Sequence, residues 1–591
     1  MCGIFGFVSE KPQSISLVSS GLKILEYRGY DSWGIALKID NGKLKIEKEI
    51  GKLPESLNSQ LSSLNSQLAI GHTRWATHGG VTQANSHPHT DCKKNLALVH
   101  NGIFENYEKI KEVLIKKGHK FQSDTDTEVI VHLIEQELKS KGFATSVRDT
   151  FSQMKGLNAF AVINTVSKEL IAIKNGSPLI IGIGKNSFFI ASDISSILPH
   201  TTKVVILKDN EMAIMGKTLQ LIALPGGEKV ETQVEDIKWN IKEHNKGNYK
   251  HFFIKEIHEE PEVIKRIAIN TTEGTKKLAS YIEKAYGTFM VACGSASYAG
   301  IAGVYLFSQI AKKHVNMAVG SEFKYQEDFV GEKTLVIPIS QSGESVDVIE
   351  PVTRVKKKGA TIASLVNVMG STLYRESDFN ILLESGTEKS VVATKSFTAM
   401  IATLILTAYT LADKQKEGQK FLLEASKNVS AILKPNYVEK IKSLAKKINS
   451  KEHLYVIGRG LSYPVALEAT LKLKEASYAH AEAFPGGELK HGVIALIEKG
   501  TPVIVFAPND ETYDEIISNA QEVKVRGAFI IGIGPKKSEV FDVYLPTGDF
   551  KHATMLPQVT IAHLLGYYLS LARGVEDPDK PRNLAKSVTV K

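Results

Sequence analysis

Six apolar runs in the second half of the chain constrain its fold more than any other feature. They are TFMVACG (288–294), TLVIPIS (334–340), TIASLVN (361–367), HLYVIG (453–458), PVIVFAP (502–508) and AFIIGIG (528–534). Each is apolar without alternation, the pattern of a strand covered on both faces. Long helical patterns separate them, so two α/β domains with parallel sheets are expected. The two sets of three also look duplicated: KKKGATIASL (356–365) and KVRGAFIIGI (524–533) both lead from a helix into a third strand. The first-strand turns ACGSASY and VIGRGLSY correspond as well. The second-strand turns differ in chemistry, Ser340–Gln341–Ser342–Gly343–Glu344–Ser345 against Pro508–Asn509–Asp510. If hydroxyls do the work, the first copy has kept them.

The first 240 residues read differently. Short β-type runs such as LAIGHT (68–73), LALVHNG (96–102) and AFAVIN (159–164) predominate, with helical stretches near 13–28 and 124–140. This is an α+β pattern. The polar segment KEHNKGNYK (242–250) marks a linker. The expected division is residues 1–240, a linker at 241–250, α/β domains at 251–430 and 440–580, and a tail at 581–591. One hydrophobic core does not extend over 591 residues, so several domains are required.

Composition excludes several classes. The formal net charge of +9 is a weak bias over this length, and the densest basic run, Lys356–Lys358, reads as a solvated helix end, so no nucleic-acid partner is expected. The longest apolar stretch, Ala399–Ala412, falls short of the roughly 20 residues a membrane span needs. It reads as a buried core helix, and no membrane partner is expected. Three distant cysteines, Cys2, Cys92 and Cys293, do not make a disulfide framework, so a reducing cytoplasm is the expected compartment.

Cys2 follows the initiator Met1. Removal of Met1 would place a free α-amine, with an ordinary pKa of about 7.7–8.0, beside the thiol as its base. Candidate partners lie downstream. GHTRWATHG (71–79) offers Arg74, Trp75, Thr77 and His78; HNG offers Asn101 and Gly102; SDTDTE offers Asp126. Opening an amide requires an oxyanion hole, for which a side-chain amide and a glycine N–H are suitable donors. A cation and an acid would hold an amino-acid substrate, and Arg74 and Asp126 suit those tasks.

MCGIFG, LEYRGYDSWG, HTRWATHG, HPH, VHNG and TDTE together resemble the class II glutamine amidotransferases of the N-terminal nucleophile type. The resemblance implies that Cys2 attacks the glutamine amide and that Asn101 and Gly102 form the oxyanion hole. It also implies that Arg74, Thr77, His78 and Asp126 hold L-glutamine, with Arg28 and Thr77 supporting the site. A metal deserves comparison, because His72, His78, His87, His89, Cys92 and His100 lie within thirty residues. None shows the usual paired-ligand spacing, so loop histidines and no metal are expected.

In the second half, TLVIPIS runs into SQSGES and then a helix, a strand–turn–helix junction suited to an anion. Without a GxxxxGK[ST] pattern, a nucleoside triphosphate is not implied. Ser295, Ser340, Gln341, Ser342 and Ser345 suit a phosphomonoester. On the helix beginning near LEATLKLKE, Glu468, Lys472 and Glu475 share a face by their spacing. A carboxylate kept ionised by an ammonium is what a proton transfer between sugar carbons needs. His491 follows in a glycine-framed loop. A surface ion-pair helix with a loop histidine is the alternative reading of the same residues.

CGSASYAG, SQSGES, GRG, LKLKE, GELKHG and PRNLAKSVTV resemble the tandem sugar-isomerase domains of the glutamine–fructose-6-phosphate aminotransferase family. The resemblance implies a layered αββα glutaminase domain followed by two α/β parallel-sheet domains. It implies L-glutamine and fructose 6-phosphate as substrates, no cofactor, and a homodimer formed through the isomerase domains. Glu475 would move the proton from carbon 1 to carbon 2, Lys472 would assist, His491 would help open the ring and Lys586 would meet the ketose carbonyl. Ser295, Ser340, Gln341, Ser342, Ser345, Val391, Thr394 and Ala585 would line the sugar-phosphate site, and Trp75 would gate an ammonia channel. Ala296 and Ala393 stand where the family pattern has hydroxyls. Another glutamine-dependent transferase, such as a phosphoribosyl amidotransferase, or a non-catalytic sugar-phosphate sensor would share parts of these patterns.

Overall fold

The computed structural model describes residues 2–39, 41–54, 56–57, 59–76, 78–237 and 246–586. Packing divides the chain into two units, residues 1–242 with 585–591, and residues 243–584. Part of the expected linker, 241–245, lies outside the described residues, as do Thr77 and residues 587–591 of the tail.

The first unit stacks two antiparallel sheets. The eight-stranded one runs Glu235–Asp236, Lys203–Ile206, Ile180–Gly184, Ser187–Ala191, Gly3–Ser14, Asn65–Arg74, Ser32–Lys38, Leu44–Ile50. The seven-stranded one runs Lys229–Val230, Leu219–Ala223, Glu211–Met215, Leu170–Asn175, Asn158–Asn164, Leu96–Gly102, His89–Thr90. Period-two alternation explains the layering. Ile4, Val8, Ala159, Ala161 and Ile163 point between the sheets. Phe5 and Phe7 face outward onto Val18 and Leu22 of helix Ser16–Leu25. Phe160 and Val162 do the same against Val129, Ile130 and Ile134 of helix Asp126–Glu137. The result is the αββα stack expected from the sequence. Helices Tyr107–Lys116 and Phe143–Phe151 are additional to the two expected stretches.

The second unit holds two five-stranded sheets, parallel throughout. The first runs Asn316–Val319, Gly287–Ala292, Thr334–Ser340, Thr361–Val366, Phe379–Leu382. The second runs His480–Pro485, His453–Gly458, Pro502–Phe506, Phe529–Gly534, Val543–Pro546. Strand order is the same in both, second-first-third-fourth-fifth, so the repeat seen in sequence is a repeat of topology. One hydrophobic cluster joins the halves through helices Phe252–Asn270, Lys395–Leu411, Ser462–Ser477 and Met555–Ala572. The apolar stretch read as a core helix is one: Lys395 through Tyr409 are all buried. Among the described residues, no helix is long and apolar enough to cross a membrane.

Candidate active sites

Strand Gly3–Ser14, an interior strand of the eight-stranded sheet, begins directly after Cys2, so the thiol sits at its N-terminal end, beside the end of its neighbour Asn65–Arg74. The Trp75 N–H donates to Cys2 Sγ at 3.3 Å, and the thiol faces the Trp75 carbonyl at 3.5 Å. Gly29 allows this arrangement. A Cβ there would fall 2.6 Å from the Arg74 carbonyl carbon and 2.7 Å from the Trp75 nitrogen. Arg28 Nε and Asn101 Nδ2 both donate to the Cys2 carbonyl, at 3.2 and 3.1 Å. Asp31, not singled out from sequence, accepts from the Ala76 N–H at 2.8 Å and fixes the chain just beyond Trp75.

Asn101 is the second-last residue of strand Leu96–Gly102 on the facing sheet. Its amide is oriented by His72, whose Nε2 lies 3.1 Å from Asn101 Oδ1 and 3.0 Å from the His100 carbonyl. Two oxygens on that nitrogen require His72 to carry its proton there. Burial pulls His72 down to about 3, so the ring is neutral. The second Asn101 N–H donates to Ser192 Oγ at 2.9 Å. Gly102 has φ +133°, and a Cβ would strike the Leu157 carbonyl at 2.1 Å, so only glycine fits beside Asn101.

Arg74 and Asp126 are both buried nearby. Arg74 donates to the carbonyls of His78, Gly79 and Gly80 at 2.5, 3.0 and 3.2 Å, so the loop folds over its guanidinium. Burial pulls Arg74 below its usual value, while Cys2, Asp31 and Asp126 act the other way. Asp126 opens helix Asp126–Glu137 and accepts from the Phe104 N–H at 2.8 Å. His78 is half-buried, edge-on to Tyr107. Besides its bond to Asn101, His72 piles on His87, and His87 on His89, with ring centres 4.2 and 4.9 Å apart.

In the second unit the helix Ser462–Ser477 carries the expected triad. Lys472 Nζ lies 2.7 Å from Glu475 Oε2, 3.3 Å from Glu468 Oε1 and 3.2 Å from Ser295 Oγ. Ser295, first residue of its own helix, donates to Glu468 at 3.1 Å. Two residues the sequence reading missed extend this chain of charge. His563 Nε2 lies 3.5 Å from Glu468 Oε1, and its Nδ1 lies 2.5 Å from Glu260 Oε1. Glu260, His563, Glu468 and Lys472 have 0% side-chain exposure, while Glu475 has 21%. A buried row of alternating charge thus surfaces at one carboxylate. Burial opposes charge on His563, yet Glu260 and Glu468 outweigh it and push the imidazole up to about 9. Burial likewise opposes charge on Lys472, and Glu468 and Glu475 raise it above its ordinary value. A lone histidine in the apolar run VTIAHLLG was the available signal.

Strand Thr334–Ser340 ends in the serine-rich turn. Ser340 Oγ accepts from the Gly343 N–H at 3.0 Å, Ser342 Oγ accepts from the Glu344 N–H at 3.1 Å, and Ser345 precedes helix Val346–Lys357. Gln341 is half-buried in that turn. Val391 donates its N–H to the Asp579 carbonyl at 2.8 Å. Thr394, wholly buried ahead of helix Lys395–Leu411, has an Oγ1 with no hydrogen-bond partner among the described residues. His491 is exposed at the end of the short helix Gly486–His491, outside the bonded Glu475 cluster. Ala585 and Lys586 are the last described residues and group with the first unit.

A glutamine amidotransferase domain model matches residues 72–199, and a SIS domain model matches residues 281–409 and 447–540. A relative from Thermococcus kodakarensis, named glutamine--fructose-6-phosphate aminotransferase [isomerizing], is 40% identical over 100% of both chains. The chain belongs to the glutamine–fructose-6-phosphate aminotransferase family. A second member, from Aquifex aeolicus, is also 40% identical over 100% of both chains. Among solved structures, the C-terminal domain of glucosamine-fructose-6-phosphate aminotransferase from Francisella tularensis matches with TM-score 0.52 and 31% identity. That match covers 56% of this chain and 98% of that one. The family accounts for both halves: an N-terminal amidotransferase layer stack and a pair of parallel-sheet SIS folds.

Proposed function

We propose that this chain converts fructose 6-phosphate and L-glutamine into glucosamine 6-phosphate and glutamate, with ammonia passing from the first unit to the second. Cys2 attacks the glutamine side-chain amide to give a thioester and release ammonia, and water then releases glutamate. An α-amine freed at Cys2 accepts the thiol proton within the same residue. Asn101 and Gly102 serve the oxyanion. For this, Asn101 must share an N–H now given to the Cys2 carbonyl or to Ser192. Arg74 and Asp126 take the substrate carboxylate and ammonium, with Thr77 and His78 beside them and Trp75 as the gate.

In the second unit, ammonia adds to the ketose carbonyl and water leaves. Glu475 then removes a proton from carbon 1 and returns it to carbon 2, turning the C2 imine into an amine and C1 into an aldehyde. Lys472 donates to Glu475 and assists it. Ser295, Ser340, Gln341, Ser342, Ser345, Val391, Thr394 and Ala585 surround the sugar phosphate, with Lys586 and His491 at its ring. No cofactor enters this scheme. The enzyme works as a homodimer through its SIS unit, in the reducing cytoplasm that three free thiols suit.

The observation that carries this reading is the buried charge row that reaches solvent only at Glu475, a carboxylate placed where a sugar can meet it. Incubation with glutamine and fructose 6-phosphate tests it. Hexosamine phosphate and glutamate should appear in equal amounts; glutamate alone would point to another amidotransferase, and neither product to a sensor.

A further inference from the structure

Four donor atoms in the first unit converge on one point, and none of them bonds to Cys2 or Asp126. Cys92 lies in the turn between His89–Thr90 and Leu96–Gly102, and His119 follows helix Tyr107–Lys116. His132 and Glu135 stand one turn apart on helix Asp126–Glu137. Cys92 Sγ lies 3.9 Å from His119 Nδ1 and 3.6 Å from His132 Nδ1. The two Nδ1 atoms are 3.4 Å apart, and Glu135 Oε2 is 2.9 and 3.0 Å from them. All four donors fall within 4.8 Å of one another. A tetrahedral zinc with bonds of about 2.0–2.3 Å holds its donors roughly 3.3–3.8 Å apart.

The surroundings decide where the protons are. Gln136 Oε1 accepts from Lys139 Nζ at 2.9 Å and faces His119 Nε2 at 3.2 Å. It is an oxygen, so His119 carries its hydrogen on Nε2 and turns the Nδ1 lone pair inward. His132 Nε2 faces Glu128 Oε1 at 3.6 Å, and Glu128 is itself held by the Gln122 and Ser123 N–H groups. Its Nδ1 faces Cys92, His119 and Glu135. The Lys120 N–H faces Cys92 Sγ at 3.5 Å. Outer partners that orient imidazoles and thiolate in this way are the usual second layer of a metal site. Two ring nitrogens, a carboxylate oxygen and a sulfur thus face one point, a donor set that suits a cation.

We propose that Cys92, His119, His132 and Glu135 bind one zinc ion per chain. The soft sulfur with two imidazoles and a carboxylate suits zinc rather than magnesium or calcium. The protein fills all four positions, the pattern of a structural rather than a catalytic site. Cys92 is exposed, so the metal has a path in, while His119 and His132 are buried. The ion joins three segments and anchors the helix whose first residue is Asp126. Sequence spacing hid the site, because its ligands come from a turn, a loop and a helix with 26 residues or more between Cys92 and the first histidine.

The test uses the full chain, stripped with chelator and then titrated with zinc and, separately, cobalt(II). The wild type should retain about one equivalent of zinc after gel filtration, and cobalt should give the intense visible bands of a tetrahedral site with a thiolate charge-transfer band. Cys92→Ser should lose that charge-transfer band, Cys293→Ser should keep it, and zinc should raise the melting temperature of the wild type but not of His132→Ala. Should the single variants fail to fold, the wild-type stoichiometry and cobalt spectrum decide alone. No zinc retained at micromolar free metal, an octahedral cobalt spectrum, or a thiolate band that survives Cys92→Ser would overturn the proposal and leave a protonated His132 between Glu128 and Glu135.

Discussion

Lys472 donates to Glu475 across 2.7 Å, and of the two side chains only the glutamate reaches solvent. The ammonium has no exposed surface of its own, so its charge is directed at Glu475 and Glu468 rather than screened by water. The buried charge row thus ends on one carboxylate that reaches solvent, the base proposed for the sugar site. Its removal has a definite consequence.

Glu475→Gln keeps the shape and deletes the base. Glucosamine 6-phosphate formation should fall about 10²–10⁴-fold, the usual contribution of a positioned proton-transfer group. Glutamine hydrolysis should continue. The check is exchange of solvent deuterium into the sugar phosphate; exchange at the wild-type rate would assign the proton transfer to another residue.

Cys2→Ala should abolish glutamine hydrolysis while fructose 6-phosphate is still isomerised, because the nucleophile belongs to one unit and the Glu475 row to the other. Glutamate release and hexose-phosphate isomerisation are measured on the same preparation. Normal glutamate release would remove Cys2 from its role.

His563 ties the stability of the second unit to pH. Its folded-state value of about 9 lies above the ordinary 6.5, because Glu260 and Glu468 outweigh the cost of burial. The stabilisation is therefore full below pH 6.5 and fades as pH rises through about 9. His563→Leu leaves two carboxylates without their shared cation and should cost about 3–5 kcal/mol, the penalty for breaking a buried pair. Thermal melts across pH 6.5–10 should fall more steeply for the wild type than for the variant; parallel curves would contradict a charged His563.

A chain ending at Pro581 should still hydrolyse glutamine but make no glucosamine 6-phosphate, since it lacks Ala585 and Lys586. Product formation at saturating fructose 6-phosphate is the readout. Synthesis at the full-length rate would return the tail to an ordinary chain end.

Much of this was legible in the sequence, for physical reasons that differ by element. Continuous apolar runs exposed the three central strands of each parallel sheet, because both of their faces are covered. The outer strands Asn316–Val319, Phe379–Leu382, His480–Pro485 and Val543–Pro546 escaped notice: they are short, partly exposed edge or near-edge segments without a continuous apolar signature. Glu468, Lys472 and Glu475 could be placed on one face because helical spacing is a local property. Glu260 and His563 could not, because His563 meets Glu468 on one distant helix and Glu260 on another, 303 residues away in sequence. The same limit concealed His119, His132 and Glu135 as companions of Cys92, whereas Asp31 holds the Ala76 N–H and Ser192 the Asn101 amide and the Ile4 N–H, contacts that no spacing rule encodes.

The most direct measurement of the central claim follows the nitrogen. With amide-15N glutamine, fructose 6-phosphate and excess unlabelled ammonium, an enzyme that passes ammonia from Cys2 to the Glu475 site should put 15N into nearly all of the glucosamine 6-phosphate. Product that carries only unlabelled nitrogen, or glutamate formed with no hexosamine phosphate, would contradict it.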